Sequence, residues 1–321
     1  MITRRNFINQ LGLISSGTLL VQSDLLAINA AKMPTQIGIQ LYTLRDNLDK
    51  DVKDTIQQLG KIGFNHVETY FGYQGGGKDS FWGLKPKELK TLLTDNKLAT
   101  HSGHYQLNDF LTPGNGNSDA LQYQLDIAAE LGQSYLIVPI PPFGLWDKMD
   151  TSIYKFMAEQ LNKAGEVAKK SGIQLGYHNH FWEFKKLSDG NVGYDILLNE
   201  TDPNLVCFEL DLFWAAKAGQ NPVSLFEKHP KRFELWHVKD IDKSKAESVY
   251  ATPEGQNAGV MDILKEVRFA EVGSGAMDFK DIFKHNQDVK YIFVEQDQIY
   301  MSNKFDSVAQ SYNYIKKSLL K

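Results

Sequence analysis

From Gln36 onward the chain repeats one pattern eight times: a short apolar run, then a longer segment with apolar residues every three or four positions. The runs are Ile37–Leu41, His66–Tyr70, Leu98–His101, Tyr135–Val138, Gln174–His178, Val206–Leu210, Leu235–Val238 and Tyr291–Val294. They are rich in Val, Ile, Leu, Tyr and Phe and show little strict alternation, which suits strands buried on both faces of a parallel sheet. The intervening segments predict helices over Asp51–Ile62, Pro86–Asn96, Ser118–Leu131, Ser152–Lys170, Asp195–Asn199, Val223–Lys228, Lys280–His285 and Asp306–Leu319. In the first of these, Val52, Ile56, Leu59 and Ile62 fall on one helical face, and Ser171-Gly172 is a stop signal for the fourth. Strands alternating with helices make an α/β protein with right-handed crossovers.

Two architectures satisfy that alternation, a doubly wound open sheet and a closed barrel. A doubly wound sheet gathers its site at one switch point, whereas a barrel builds it from the ends of many strands. Here acidic, imidazole and aromatic side chains follow several successive strands, and no G-x-G-x-x-G follows the first strand. Gly75-Gly76-Gly77 comes after the second strand and is not placed as a dinucleotide loop. The expected fold is therefore a single-domain (β/α)8 barrel, a TIM barrel, spanning residues 36–320. With 321 residues, 42% of them hydrophobic and 23% charged, the chain has enough apolar material for one such core. The polar stretch from Lys239 to Gly275 reads as an excursion on the catalytic face.

Residues 1–31 read as an address. Thr3-Arg4-Arg5-Asn6-Phe7 is a twin-arginine pattern, followed by a weakly apolar run from Leu11 to Val21 and small residues near Ala30 and Ala31. The expectation is export through the twin-arginine route to the periplasm. No segment reaches the roughly 20 apolar residues of a membrane span, so stable membrane insertion is not expected. A formal charge of −4 argues against a nucleic-acid partner. The single cysteine, Cys207, excludes an intramolecular disulfide and a C-x-x-C metal site. The sequence neither requires nor excludes an oligomer.

Four side chains at the ends of the last four strands form a candidate metal set: Glu183, Asp211, His237 and Glu295. One acid after a strand is usually a helix cap or an ion-pair partner. Three carboxylates and an imidazole from four adjacent strands are different, because burying them together is costly unless a cation compensates. Such a set suits one divalent ion, Mn2+, Mg2+, Co2+ or Zn2+. His178 and His180, two apart, point to one face and could both ligate. Glu183 is the first choice for the fifth-strand ligand and His178 the alternative, with His180 as a substrate contact or acid–base group.

The strings that carry these residues resemble the sugar phosphate isomerase/epimerase family, the xylose isomerase-like barrels. They are Ile37-Gly38-Ile39-Gln40-Leu41-Tyr42, Tyr177-His178-Asn179-His180 with Glu183-Phe184, Asp211 with Trp214, His237-Val238-Lys239-Asp240, Val272-Gly273-Ser274-Gly275 and Val294-Glu295-Gln296-Asp297. The resemblance implies a divalent metal held by Glu, Asp, His and Glu from strands five to eight, which carries onto Asp211, His237 and Glu295, with Glu183 as the first Glu. In the family that Glu lies within the strand, a place that here falls at Gly176 to His178.

The chemistry so implied is proton abstraction beside a metal-bound carbonyl. Glu183 and Glu295 are the expected acid–base pair, Lys239 stabilises oxyanion character, and His180 relays protons. His104, His178, Trp182, Trp214 and Asp240 are the expected substrate contacts, with Phe71 and Trp146 as further stacking candidates. The expected activity is isomerisation or epimerisation of a small neutral carbohydrate, a sugar or keto-sugar. The alternatives are a metal-dependent lyase or hydratase of keto-sugars or keto-glycosides, or a non-catalytic sugar-binding barrel.

Overall fold

The computed structural model describes residues 34–71, 81–114, 118–285 and 289–320. The twin-arginine segment and the Gly75–Gly77 run lie outside the described residues. Among the described residues there are ten strands: β1 Gly38–Gln40, β2 His66–Phe71, β3 Ala99–Tyr105, β4 Tyr135–Val138, β5 Gln174–His178, β6 Val206–Asp211, β7 Phe233–Val238, β8 Asp240–Ile241, β9 Phe269–Ala270 and β10 Tyr291–Val294. Eight of them close a barrel in the order β1-β10-β7-β6-β5-β4-β3-β2. Closure is made by β1 lying parallel to β10, with Gly38 opposite Phe293 and Ile39 opposite Val294. This is a single-domain (β/α)8 barrel, and the closing pair rules out the open doubly wound sheet.

The helices form where periodicity and caps agree. Val52–Ile62 starts because Asp51 Oδ1 accepts the Asp54 N–H at 2.9 Å. It stops at Gly63, whose φ of 111° is left-handed and closes the last turn. Its face carries Ile56 and Leu59, both fully buried against the barrel. Each contributes roughly 1.5–3 kcal/mol on leaving water. Thr151–Lys170 begins one residue before the expected start, because Asp150 Oδ1 accepts the Ile153 N–H at 2.9 Å.

The interior of the barrel is layered by the period-two rule: residues two apart on a strand point to the same side. Cys207, Leu235 and Phe293 form an apolar floor with Tyr135 and Ile137. Gly176 leaves the room for it, since a Cβ there would sit 2.5 Å from Ile137 Cδ1. Two residues further along the same strands come Glu209, His237, Glu295 and His178, and these are polar. The Lys239–Gly275 excursion folds over this end. It contributes the antiparallel ribbon β8–β9 and two short helices, Pro253–Asn257 and Val260–Glu266.

Candidate active site

The deepest polar layer is organised around two carboxylates that the sequence reading did not select, Glu68 on β2 and Glu209 on β6. Glu209 Oε2 lies 2.8 Å from His104 Nε2, 3.0 Å from His178 Nδ1 and 3.1 Å from His237 Nε2. Glu68 Oε2 takes the His237 Nε2 proton at 2.6 Å and the Gln40 amide at 2.8 Å, while Ser102 Oγ donates to its other oxygen. All of these side chains are buried. Burial opposes protonation of His104, but Glu68 and Glu209 outweigh it and push the imidazole up to about 9. Burial likewise opposes ionisation of Glu68, yet His104 and His237 hold it well below the usual carboxylate range.

Above this layer, one ligand atom each from His178, Asp211, His237 and Glu295 lies within 4.8 Å of the others. His178 donates from Nδ1 to Glu209, so its Nε2 lone pair faces Asp211 Oδ2 at 3.8 Å. His237 Nδ1 is 2.7 Å from Glu295 Oε2. Carboxylates stand at both ring nitrogens, and Glu209, Glu295 and Glu68 raise its pKa well above normal despite burial; a cation at this point would take the place of the Nδ1 proton and leave Nε2–H donating to Glu68. Two imidazoles and two carboxylates facing a common point, with a third carboxylate fixing the ring orientation behind them, fit a divalent cation. His104, His178, Glu209 and His237 likewise bring one ligand atom each within 4.8 Å of one another, and share the same two imidazoles.

Lys239 stands beside this set. Its Nζ is 2.9 Å from Asp211 Oδ2, 2.6 Å from Glu295 Oε2 and 3.3 Å from Asp297 Oδ2. Burial works against its charge, but the three carboxylates dominate and keep it an ammonium. Burial raises Asp297 to about 6, with Lys239 opposing and Glu295 and Asp211 reinforcing the rise. His180 is pushed far below the ordinary imidazole range by burial and by Lys239, so it is neutral. Its Nδ1 has no hydrogen-bond partner among the described residues.

These groups open into a cavity of about 420 Å3, whose lining includes His104, His178, His180, Trp182, Trp214, Lys239 and Glu295. The expected substrate contacts His104, His178, Trp182 and Trp214 thus share one wall, together with Trp146. Leu264, Val267 and Phe269, from the excursion, line the same space.

Two expected site residues stand elsewhere. Glu183, on a short 3-10 turn Trp182–Phe184, folds back under the loop. Its Oε1 accepts the Tyr177 hydroxyl at 2.8 Å and its Oε2 accepts the His180 N–H at 2.8 Å. Neither donor set includes it, and His178 takes the fifth-strand place. Burial raises Glu183 to about 7, only partly offset by these hydrogen bonds. Asp240 is also spent on backbone. Its carboxylate accepts the N–H groups of Ile241, Gly273, Gly275 and Met277 at 2.8–3.1 Å, folding the chain after β9. Gly275 is required there, because a Cβ would lie 2.3 Å from Asp240 Oδ1. Phe71 belongs to β2, and its side chain lies outside the described residues.

Glu209 was within reach of sequence reasoning, since it sits two residues before Asp211 on one strand and must share its face. Glu68 carried a weaker signal, a lone acid inside the apolar run His66–Tyr70.

The model of the xylose isomerase-like TIM barrel family matches residues 56–316. The chain belongs to that family. It is similar to the inosose dehydratase of Clostridium beijerinckii, 28% identical over 207 residues, which cover 60% of this chain and 67% of that protein. The inosose dehydratase of Clostridium perfringens is 26% identical over 264 residues, 77% of this chain and 86% of that one. A sugar phosphate isomerase/epimerase from Parabacteroides distasonis superposes with a TM-score of 0.72 at 28% identity, covering 92% of this chain and 97% of the other. The expected class, isomerase or epimerase, is corrected by the first two. Those relatives are dehydratases, which are lyases, and they support the alternative reading. Among the described residues no helix is long and apolar enough to cross a membrane.

Proposed function

We propose that this chain is a metal-dependent lyase that removes a β-oxygen substituent from a small keto-cyclitol or keto-sugar. One observation carries the reading. His178, Asp211, His237 and Glu295 converge at the base of a 420 Å3 cavity whose wall presents a buried ammonium and a neutral imidazole. A divalent cation held by these four supplies Lewis acidity toward a substrate carbonyl.

The chain's own residues do the rest. His180, a neutral imidazole lining the cavity, is the group that in this reading accepts the proton from the carbon next to the carbonyl. The electron pair left behind forms the new C=C bond as the β C–O bond breaks, and the departing oxygen takes a proton. Lys239 sits at the same wall and stabilises negative charge as it develops on the carbonyl oxygen. Glu209 and Glu68 hold the His178 and His237 rings in orientation. Leu264, Val267 and Phe269 of the excursion add apolar surface to the cavity wall.

The substrate is unphosphorylated in this reading. The basic side chains lining the cavity are Arg45 and Lys239, besides histidines. The charge of Lys239 is offset by the three carboxylates around it, and Arg45 Nη1 donates to the Tyr42 carbonyl at 3.1 Å. The twin-arginine pattern of residues 1–31, read as a periplasmic export signal, agrees with a neutral substrate.

The test is to load the protein separately with Mn2+, Mg2+, Co2+ and Zn2+, supply an inosose, and follow the ultraviolet absorbance of the conjugated product. Product formed by the parent chain and lost with chelator or in Glu295→Gln is expected. Absence of product with all four metals, on a protein shown to bind them, refutes the reading.

A further inference from the structure

We infer that the cavity holds a second ring beyond the one that faces the metal-binding set, carried by the substrate as its leaving group. This inference rests on the lyase reading and specifies its substrate class as a keto-glycoside or aryl ether.

The cavity wall carries an unbroken row of aromatic rings leading away from the polar cluster. His180 stacks on Trp182 at 4.2 Å with an interplanar angle of 8°. Trp182 meets Trp146 at 5.0 Å and 35°, and Trp146 meets Phe143 at 4.9 Å and 44°. All four line the cavity. The inner end is tied to the cluster, with the His178 and His180 centroids 5.0 Å apart. The outer end is open, with Phe143 53% exposed. Trp146 is fixed in place by its Nε1 donating to the Pro141 carbonyl at 3.0 Å.

A row of apolar faces has no use in expelling water, which needs only a polar exit. A single six-membered polyol bound at His178 and Glu295 leaves the Trp146 and Phe143 end of the wall bare. A second ring joined through oxygen lies flat against those faces, the contact that aromatic side chains make best. The chemistry balances without a further reactant. His180 takes the α-proton, the C–O bond to the second ring breaks, its oxygen leaves with the electron pair and is protonated, and the products are an enone and an alcohol.

The test compares phenyl β-D-glucopyranoside with methyl β-D-glucopyranoside by calorimetric titration, on the parent chain and on Phe143→Ala and Trp146→Ala. The phenyl probe should bind about tenfold tighter to the parent, as one stacked ring contributes. That ratio should fall toward one in both variants. Phe143 is half exposed, so its replacement leaves the fold intact, and a thermal melt checks Trp146→Ala. Equal affinities on the parent chain, or a ratio that survives both substitutions, overturns the inference. Failure of the lyase reading is distinct: it appears as no enone from an inosose while the binding ratio stands.

Discussion

Replacing Glu183 by glutamine tests the assignment of that residue to the fold rather than to the chemistry. Its carboxyl is fully buried and titrates at about 7 in the native barrel, against 4.5 for the ordinary group. Burial is the cause, because the charged form loses water that two hydrogen bonds do not fully replace. Between those values the folded state binds more protons than the unfolded chain, so stability falls as pH rises through the window. The contribution is intact below pH 4.5 and lost above 7. About 2.5 pH units correspond to about 3 kcal/mol. Glutamine copies the protonated group, its oxygen accepting from His180 N–H and its amide donating to the Tyr177 oxygen. Glu183→Gln should therefore match the parent near pH 5 and exceed it by about 3 kcal/mol at pH 8, on the order of 6 °C in Tm for a chain of this size. Thermal melts of both proteins at pH 5, 6, 7 and 8 give the answer, with metal content measured alongside. Parallel pH profiles would refute the buried-acid argument. Loss of bound metal in the variant would return Glu183 to the ligand set.

Three further changes separate the layers of the site. Glu209→Gln leaves ring orientation to weaker bonds and should loosen metal binding by about 10–100-fold, read by competition with a chelating dye. Lys239→Met keeps the volume but removes the ammonium, and should lower turnover of an inosose by roughly a hundredfold; unchanged turnover would show that developing charge is met elsewhere. Asp240→Ala strips one acceptor group from four backbone N–H donors and should cost about 3 kcal/mol or more in urea unfolding. Hydrogen exchange should rise over Gly273–Met277, and a change confined to activity would contradict the placement of Asp240.

The barrel was legible because its strands are buried on both faces and so appear as continuous apolar runs. Tyr135–Val138, Gln174–His178 and Tyr291–Val294 fold over the residues expected. Where a strand carries polar interior side chains the reading stopped short: β3 continues past His101 through Ser102 and His104 to Tyr105. Those inward residues break the apolar run because they belong to the site. The same ambiguity hid Glu68, whose partners Gln40, Ser102 and His237 come from three other strands. Such a contact depends on how the barrel closes, and closure is invisible in a linear pattern.

Glu183 and Asp240 illustrate the reverse difficulty. Both follow strand ends within motif-bearing strings, as ligands do, yet both carboxylates are taken up locally, that of Glu183 by the Tyr177 hydroxyl and the His180 N–H and that of Asp240 by backbone N–H groups. An acid after a strand has two competing uses, and the turn geometry decides between them. The 3-10 turn at Trp182–Phe184 sends Glu183 back to Tyr177, which leaves the place beside Asp211 and His237 to His178, already on the strand and pointing inward. The reaction class was less accessible still. Removing a proton beside a carbonyl is common to several outcomes, and the residues that do it are the same in each. What distinguishes elimination is a β-oxygen with somewhere to go. In the reading proposed here the space for it lies along Trp182, Trp146 and Phe143, on loops apart in sequence, so that reading makes the shape of the wall rather than the identity of the base the determinant of the outcome.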